Sequence, residues 1–164
     1  MTRRNILSFA ILACAVLCAS ANSAAQNVKA PFTLKLSAKT YEFRVGSKVW
    51  ITITQTNVTD HSIDCHETVQ NGVDISYFYD MKDESGNQSE KVVRPHMELE
   101  PQDYHPCNLA AGQSLTGETQ ISRVYKFDHA GKYVIQVSRY ASSVPDDPDH
   151  SKVFSNTVTI TITG

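Results

Sequence analysis

Histidine and acidic side chains are the groups in this 164-residue chain whose types could hold a metal ion. His61, His66 and His105 lie in two polar stretches. Imidazole suits zinc and copper, and carboxylates are further ligands for both ions. The spacing matches no HExxH or CxxC motif and no calcium-binding loop. These three histidines are therefore the candidate metal ligands, and metal binding is an alternative function. We expect no resident cofactor.

The residue types that catalysis needs are present without a catalytic arrangement. No GxSxG nucleophile motif occurs, and no glycine-rich loop leads from a strand into a helix. Glu98 and Glu100 are separated by one residue, so they would share one face of a strand, which is typical of a solvated edge. We predict that the protein is not an enzyme.

The cysteines indicate one disulfide bond. Of four cysteines, Cys14 and Cys18 lie in the apolar N-terminal segment, which leaves Cys65 and Cys107 for the rest of the chain. In an oxidising compartment, an isolated pair in a domain of this size is typically a disulfide. The loop that it closes would stabilise the fold by about 4 kcal/mol on the chain-entropy model.

The N-terminus has the order of an export signal. Arg3 and Arg4 give a positive start, residues 6–18 are apolar, and small residues precede Gln26. We predict a signal peptide over residues 1–25, one domain over residues 26–164, no membrane span after cleavage, and a periplasmic or extracellular location. The twin arginine leaves two export routes open, and a lipid-attachment box at residues 11–14 is an alternative.

The charge balance excludes some partners. Of the 15 basic residues, Arg3 and Arg4 lie in the leader, which leaves 13 against 17 acidic residues and a net charge of −4. Such a surface does not attract phosphate backbones or anionic lipid. We therefore expect no nucleic-acid partner, and we expect a monomer.

Apolar and polar residues alternate with period two in most of six segments. This alternation, with threonine on the polar face, predicts half-buried antiparallel strands. Two further short strands are predicted at residues 41–44 and 91–97, giving about seven to eight strands, the number that a two-sheet sandwich needs. The apolar members of the five clearest segments are Phe32, Leu34, Leu36; Val49, Ile51, Ile53; Ile75, Tyr77, Tyr79; Tyr133, Ile135, Val137; Val158, Ile160 and Ile162.

The stretch at residues 128–133 ends in Gly131, Lys132 and Tyr133 and leads directly into an alternating strand. With the segments at 34–38, 43–49 and 155–160, it resembles the bacterial secreted immunoglobulin-like and fibronectin-III-like domains. A looser resemblance is to sandwiches of the proteinase-inhibitor and macroglobulin types. The resemblance implies a single immunoglobulin-like antiparallel β-sandwich, in which the corner tyrosine bonds its hydroxyl to nearby backbone. It also implies proteinase inhibition as a second alternative function.

Three long polar stretches, at residues 58–73, 98–113 and 141–152, are expected to be loops at one pole of the sandwich, because consecutive antiparallel strands alternate in direction. Long loops on a rigid sandwich commonly carry binding function. We therefore predict a non-enzymatic extracytoplasmic binding or assembly module whose partner is a protein or an envelope polymer. The candidate binding residues lie in the third stretch and are Asp146, Asp147, Asp149 and His150.

Overall fold

The structure is a computed structural model that describes residues 30–92, 101–142 and 151–164. Within those ranges it is all-β, as predicted, with eleven strands and a 3₁₀ helix at Ile121–Arg123. The strands are β1 Phe32–Ser37, β2 Glu42–Arg44, β3 Trp50–Asn57, β4 Ile63–Gln70, β5 Val73–Asp74, β6 Phe78–Asp83, β7 Gln102–Leu109, β8 Ser114–Gln120, β9 Gly131–Tyr140, β10 Lys152–Phe154 and β11 Val158–Thr163. No helix in the described ranges is long and apolar enough to cross a membrane.

Two sheets pack face to face around one apolar core. The first has the order β1-β3-β8. In the second, β9 pairs with β6 on one side and with β10 and then β11 on the other. Ile51, Ile135 and Ile160 are fully buried between the sheets, and each buried side chain of this size stabilises the fold by about 1.5–3 kcal/mol. The predicted period-two pattern is confirmed by the alternating burial of β1, β3 and β11.

The second sheet is not purely antiparallel. After β1, the chain leaves the first sheet, and β2 pairs in parallel with β11 at the edge of the second sheet. The Thr161 N–H donates to the Tyr41 carbonyl (2.7 Å) and the Val45 N–H donates to the Thr163 carbonyl (2.9 Å). This short strand, predicted at residues 41–44, therefore covers the edge that β11 would otherwise expose.

A third sheet, β5-β4-β7, replaces two of the three predicted loops. Within the predicted loop stretches at 58–73 and 98–113, β4 and β7 form an eight-residue antiparallel ladder that runs from the Ile63–Leu109 pair to the Gln70–Gln102 pair. The loop prediction was wrong for these segments because most of their residues are polar, and Glu67 interrupts the alternation of apolar residues in β4. Six of the eight residues of β7 are exposed, so the sequence carries no alternation there.

Side chains of the sandwich hold the third sheet through its main-chain carbonyls. The Asn57 amide donates to the Leu109 carbonyl of β7 (2.9 Å), and the Tyr79 hydroxyl donates to the Asp74 carbonyl of β5 (2.6 Å). Asn57 is fully buried, and its amide oxygen also accepts from the Thr59 N–H (2.8 Å). Burial raises the pKa of Tyr79 well above the usual tyrosine range, so its hydroxyl remains a donor.

The hydrogen bond predicted for the Tyr133 hydroxyl is present. The Tyr133 hydroxyl donates to the His129 carbonyl (3.0 Å), four residues upstream. The Tyr133 ring is nearly buried and packs edge-on against Phe127, with ring centroids 5.3 Å apart. Burial raises the pKa of Tyr133, which keeps the hydroxyl protonated. The bond therefore fixes the turn that feeds the central strand β9.

We predict that Tyr133→Phe lowers the free energy of unfolding by about 1 kcal/mol, because the variant keeps the packed ring and removes one hydrogen bond. Urea unfolding followed by tryptophan fluorescence measures the change. Tyr104→Phe is the matched control, since Tyr104 is 62% exposed on β7. Equal losses in the two variants would contradict the assignment of the corner bond as stabilising.

Candidate functional site

A half-open cavity of about 280 Å³ lies at one pole of the sandwich, beside the third sheet. The end of β3, the β4 strand, the start of β6 and the end of β9 contribute to its walls. We call it the Arg139 cleft. Its residues of main interest are Gln55, His66, Ile75, Phe78, Arg139 and Tyr140. The cleft lies at the pole where the sequence analysis placed the long loops expected to bind a partner, because the chain leaves the sandwich there after β3 and after β9.

Arg139 occupies a core-facing position of the central strand. It continues the inward row of Tyr133, Ile135 and Val137 on β9, because side chains two residues apart point to the same face. Only 6% of Arg139 is exposed. A charged residue is rarely buried to this extent unless it is paired, so its surroundings decide what it can do.

Neutral groups surround the Arg139 guanidinium. One Nη1–H donates to the Gln55 side-chain oxygen (3.1 Å). Nη2 donates to the His66 carbonyl (2.8 Å) and lies 3.2 Å from the His66 Nδ1. The guanidinium carbon lies 5.3 Å from the centroid of the Tyr77 ring, in cation–π range. These contacts tie β9 to β3 and to β4 of the third sheet.

No carboxylate of the described residues lies within ion-pair distance of Arg139. Asp74, which is also buried, accepts instead from the Ser76 N–H (2.9 Å) and the Thr68 N–H (3.3 Å). Asp64, in the cleft wall, accepts from the Asn108 amide (3.4 Å). The positive charge of Arg139 is therefore solvated by dipoles and a ring rather than neutralised by a contact ion pair.

The surroundings of His66 disfavour its charged form. Partial burial and the charge of Arg139 lower its pKa, and Asp74 opposes them. Because a guanidinium can only donate, Nδ1 of His66 is the acceptor in its contact with Arg139. The His66 ring also stacks on Tyr104, with centroids 5.9 Å apart.

The mouth of the cleft is apolar and carries one further cation. Ile75 and Phe78 are 40% and 46% exposed. The Lys152 ammonium lies 4.1 Å from the Phe78 ring centroid and 5.3 Å from that of Tyr140. A ligand that enters would therefore meet apolar surface and Lys152 first, and Arg139 at the buried end.

The predicted disulfide is present. Cys65 and Cys107 are directly opposite each other on β4 and β7, with 4.9 Å between their Cα atoms. Cys65 is buried against the sandwich. The bond joins the two strands of the ladder, so it braces the strand that carries His66.

The predicted trio of metal ligands is not brought together. His66 pairs with Pro106 and His105 pairs with Glu67, so their side chains leave opposite faces of the ladder. His61 lies in the exposed turn before β4, and its Nδ1 is 2.9 Å from an Asp60 oxygen. In the part of the chain that the structure describes, no three His, Cys, Asp or Glu side chains could hold a metal ion together.

The predicted binding residues Asp146, Asp147, Asp149 and His150 lie outside the described residues, as does the predicted signal peptide.

Arg139 was not among the functional residues predicted from the sequence. Its signal was present in the sequence, because the alternation that places Ile135 and Val137 in the core also places Arg139 there. A charged residue in an inward row is a stronger indication of a site than an acidic loop.

Comparison with known proteins shows no family for this chain. No protein-family model matches it, and no curated protein matches it. Similar solved structures include the beta-glucosidase from Listeria innocua, at 17% identity and a TM-score of 0.41 over 81% of this chain. Another is AvmM, which catalyses macrocyclization in alchivemycin A biosynthesis, at 10% identity and a TM-score of 0.40 over 83% of this chain and 90% of AvmM. The chain spans 16% of the beta-glucosidase, and neither likeness carries an argument about activity.

We predict that the double variant Cys65→Ala/Cys107→Ala loses about 4 kcal/mol of unfolding free energy, because the bond closes a loop with a sequence separation of 42. Denaturant unfolding of the oxidised protein and of the variant measures the loss. Wild-type protein treated with a reductant is the control and should match the variant. Unchanged stability after complete reduction would contradict a bracing role for the bond.

We predict that His66 makes stability depend on pH in the acidic range. Because its pKa is lowered in the folded state, the unfolded chain binds a proton first as the pH falls below about 6.5. Stability is therefore full above that pH and falls as the pH approaches the lowered pKa of folded His66. His66→Gln should flatten this part of the profile, whereas the exposed His105→Gln should keep it. Parallel profiles for His66→Gln and the wild type would contradict the prediction.

Proposed function

We propose that the chain is an exported, non-enzymatic binding module that receives a protein or an envelope polymer at the pole where the Arg139 cleft opens. The observation that carries the proposal is the cleft itself. It is a cavity with a buried guanidinium that has no carboxylate partner among the described residues, and with exposed apolar residues at its mouth. The lining combines polar side chains, among them Gln55, Asp64 and His66, with apolar ones, and a concave site on which polar groups converge is typical of binding.

Binding is favoured over catalysis because the polar groups of the cleft already take part in structural hydrogen bonds. The Gln55 oxygen accepts from Arg139 and from the Tyr77 hydroxyl (3.4 Å). The Ser76 hydroxyl oxygen accepts from the Thr68 N–H (2.9 Å). Nδ1 of His66 faces Arg139. These bonds hold the groups in structural roles, and none of them joins a nucleophile to a base.

Export is supported by the leader and by the disulfide. A structural disulfide persists in an oxidising compartment such as the periplasm or the extracellular space. The Cys65–Cys107 bond also holds the β4 wall of the cleft in place before a partner arrives. A preorganised wall reduces the ordering cost of association.

Site-specific photocrosslinking tests the proposal. A photoreactive phenylalanine analogue is placed at Ile75, at the mouth of the cleft, or at Val45, at the opposite pole. Both residues are 40% exposed, so they form a matched pair. The full chain carrying the analogue is produced in its host and irradiated. We expect a discrete adduct from position 75 and none from position 45, because only the first position lies at the proposed site.

An adduct of the same size from both positions would indicate non-specific contact and would contradict the proposal. Failure of position 75 to crosslink, in protein shown to be exported and oxidised, would also contradict it. The partner in the adduct is then identified by mass spectrometry of the isolated band.

A further inference from the structure

The donor count of Arg139 leaves room for a ligand. A guanidinium has five N–H donors. Three of them donate to Gln55 and to the two acceptors of His66, and the Tyr77 hydroxyl is a further hydrogen-bond neighbour of Arg139. All of those acceptors are neutral. The side chain therefore keeps both its full charge and donor capacity beside the cavity, which is the combination that recognises an oxyanion.

The charges around the cavity favour a singly charged oxyanion. Asp64 lies in the wall, and Asp74 is close enough to raise the pKa of His66. Two nearby carboxylates would repel a phosphate or a sulfate dianion more strongly than a carboxylate. Among the described lining residues, Arg139 is the cation at the inner end, and Lys152 lies over the rings at the mouth.

The mouth of the cleft indicates what the carboxylate is attached to. Ile75, Phe78 and Tyr140 present apolar and aromatic surface on the way to Arg139, and the cavity of about 280 Å³ holds a small group rather than a folded element. An apolar or aromatic body next to the carboxylate would cover this surface while its charge pairs with the guanidinium.

We propose that the Arg139 cleft binds a carboxylate carried next to an apolar or aromatic group. This inference rests on the proposed function and names the chemistry that the site recognises. Two sources of this chemistry are the C-terminal carboxylate of a partner chain that ends in an apolar residue, and a small aromatic acid. Both place one carboxylate on Arg139 and one apolar group against Ile75 and Phe78.

Calorimetric titration and NMR shift mapping test the proposal on the purified oxidised protein with defined probes. The probes are 3-phenylpropanoate and the peptide acetyl-Ala-Ala-Phe with a free C-terminus, each compared with its amide. We expect both acids to bind and both amides to bind at least about tenfold more weakly, because the amide lacks the charge that Arg139 pairs with. Equal binding of acid and amide, or no binding of either acid, would overturn the proposal.

The two acids distinguish the sources. Tighter binding of the peptide than of 3-phenylpropanoate identifies a chain terminus as the ligand, and the reverse order identifies a small acid. In both cases the shift changes should include the residues at the mouth of the cleft. Shift changes confined to the opposite pole, around Val45, would overturn the assignment of the site.

Two sets of variants separate recognition from folding. Arg139→Gln should weaken both acids at least about tenfold while leaving the amides unchanged. Since Arg139 also bonds to His66, this variant is checked by thermal unfolding. Ile75→Asp and Ile75→Asn provide the second set at an exposed position. Both variants lose the apolar contact of Ile75, and the Asp variant should weaken the acids further by repulsion. Equal weakening of the acids by the two variants would count against charge recognition.

The crosslinking and titration experiments can refute the binding module and the carboxylate recognition independently of each other. A crosslink from position 75 that persists in Arg139→Gln, together with no binding of the acids, refutes carboxylate recognition and leaves the binding module intact. Binding of 3-phenylpropanoate without any crosslink at position 75 refutes the macromolecular partner and supports carboxylate recognition.

Discussion

Hydrogen bonds from buried side chains to main-chain carbonyls hold the third sheet against the sandwich, and the candidate site depends on them. Each strand of that sheet accepts one such bond: Leu109 of β7 from Asn57, His66 of β4 from Arg139, and Asp74 of β5 from Tyr79. Few apolar side chains of this sheet are buried, chiefly Cys65, Val73 and Leu109. Directional bonds therefore fix the position of the sheet where apolar area alone would leave it loose.

The sandwich could be predicted from the sequence because its strands bury one face. Alternation over Phe32–Ser37 and Val158–Thr163 places apolar residues at every second position, and burial selects that pattern strongly. The ladder of β4 and β7 could not be predicted in the same way. Its residues are mostly polar or exposed, and its pairing joins segments distant in sequence. The disulfide prediction was correct because the compartment argument does not depend on secondary structure.

Part of the candidate site could also be predicted from the sequence, and part could not. The inward position of Arg139 follows from the alternation of β9, so the presence of a charged residue in the core could be predicted. The absence of a carboxylate partner for Arg139 among the described residues could not be predicted, because it depends on how Asp74 is engaged by the N–H groups of Ser76 and Thr68. The placement of two of the predicted metal ligands, His66 and His105, on opposite faces of the ladder follows from the register of β4 and β7, which the sequence did not reveal.

Arg139 has two roles that are coupled through one guanidinium. It donates to the carbonyl of His66, which positions β4, and it supplies the positive charge beside the cavity. Any anion that pairs with Arg139 in the folded state stabilises the arrangement in which β4 is docked, since binding to one state shifts the equilibrium toward it. The disulfide acts on the same wall from the other side, by joining β4 to β7. The proposed binding site therefore lies where the least apolar part of the fold is held, so that occupancy of the cleft would favour the docked position of the third sheet.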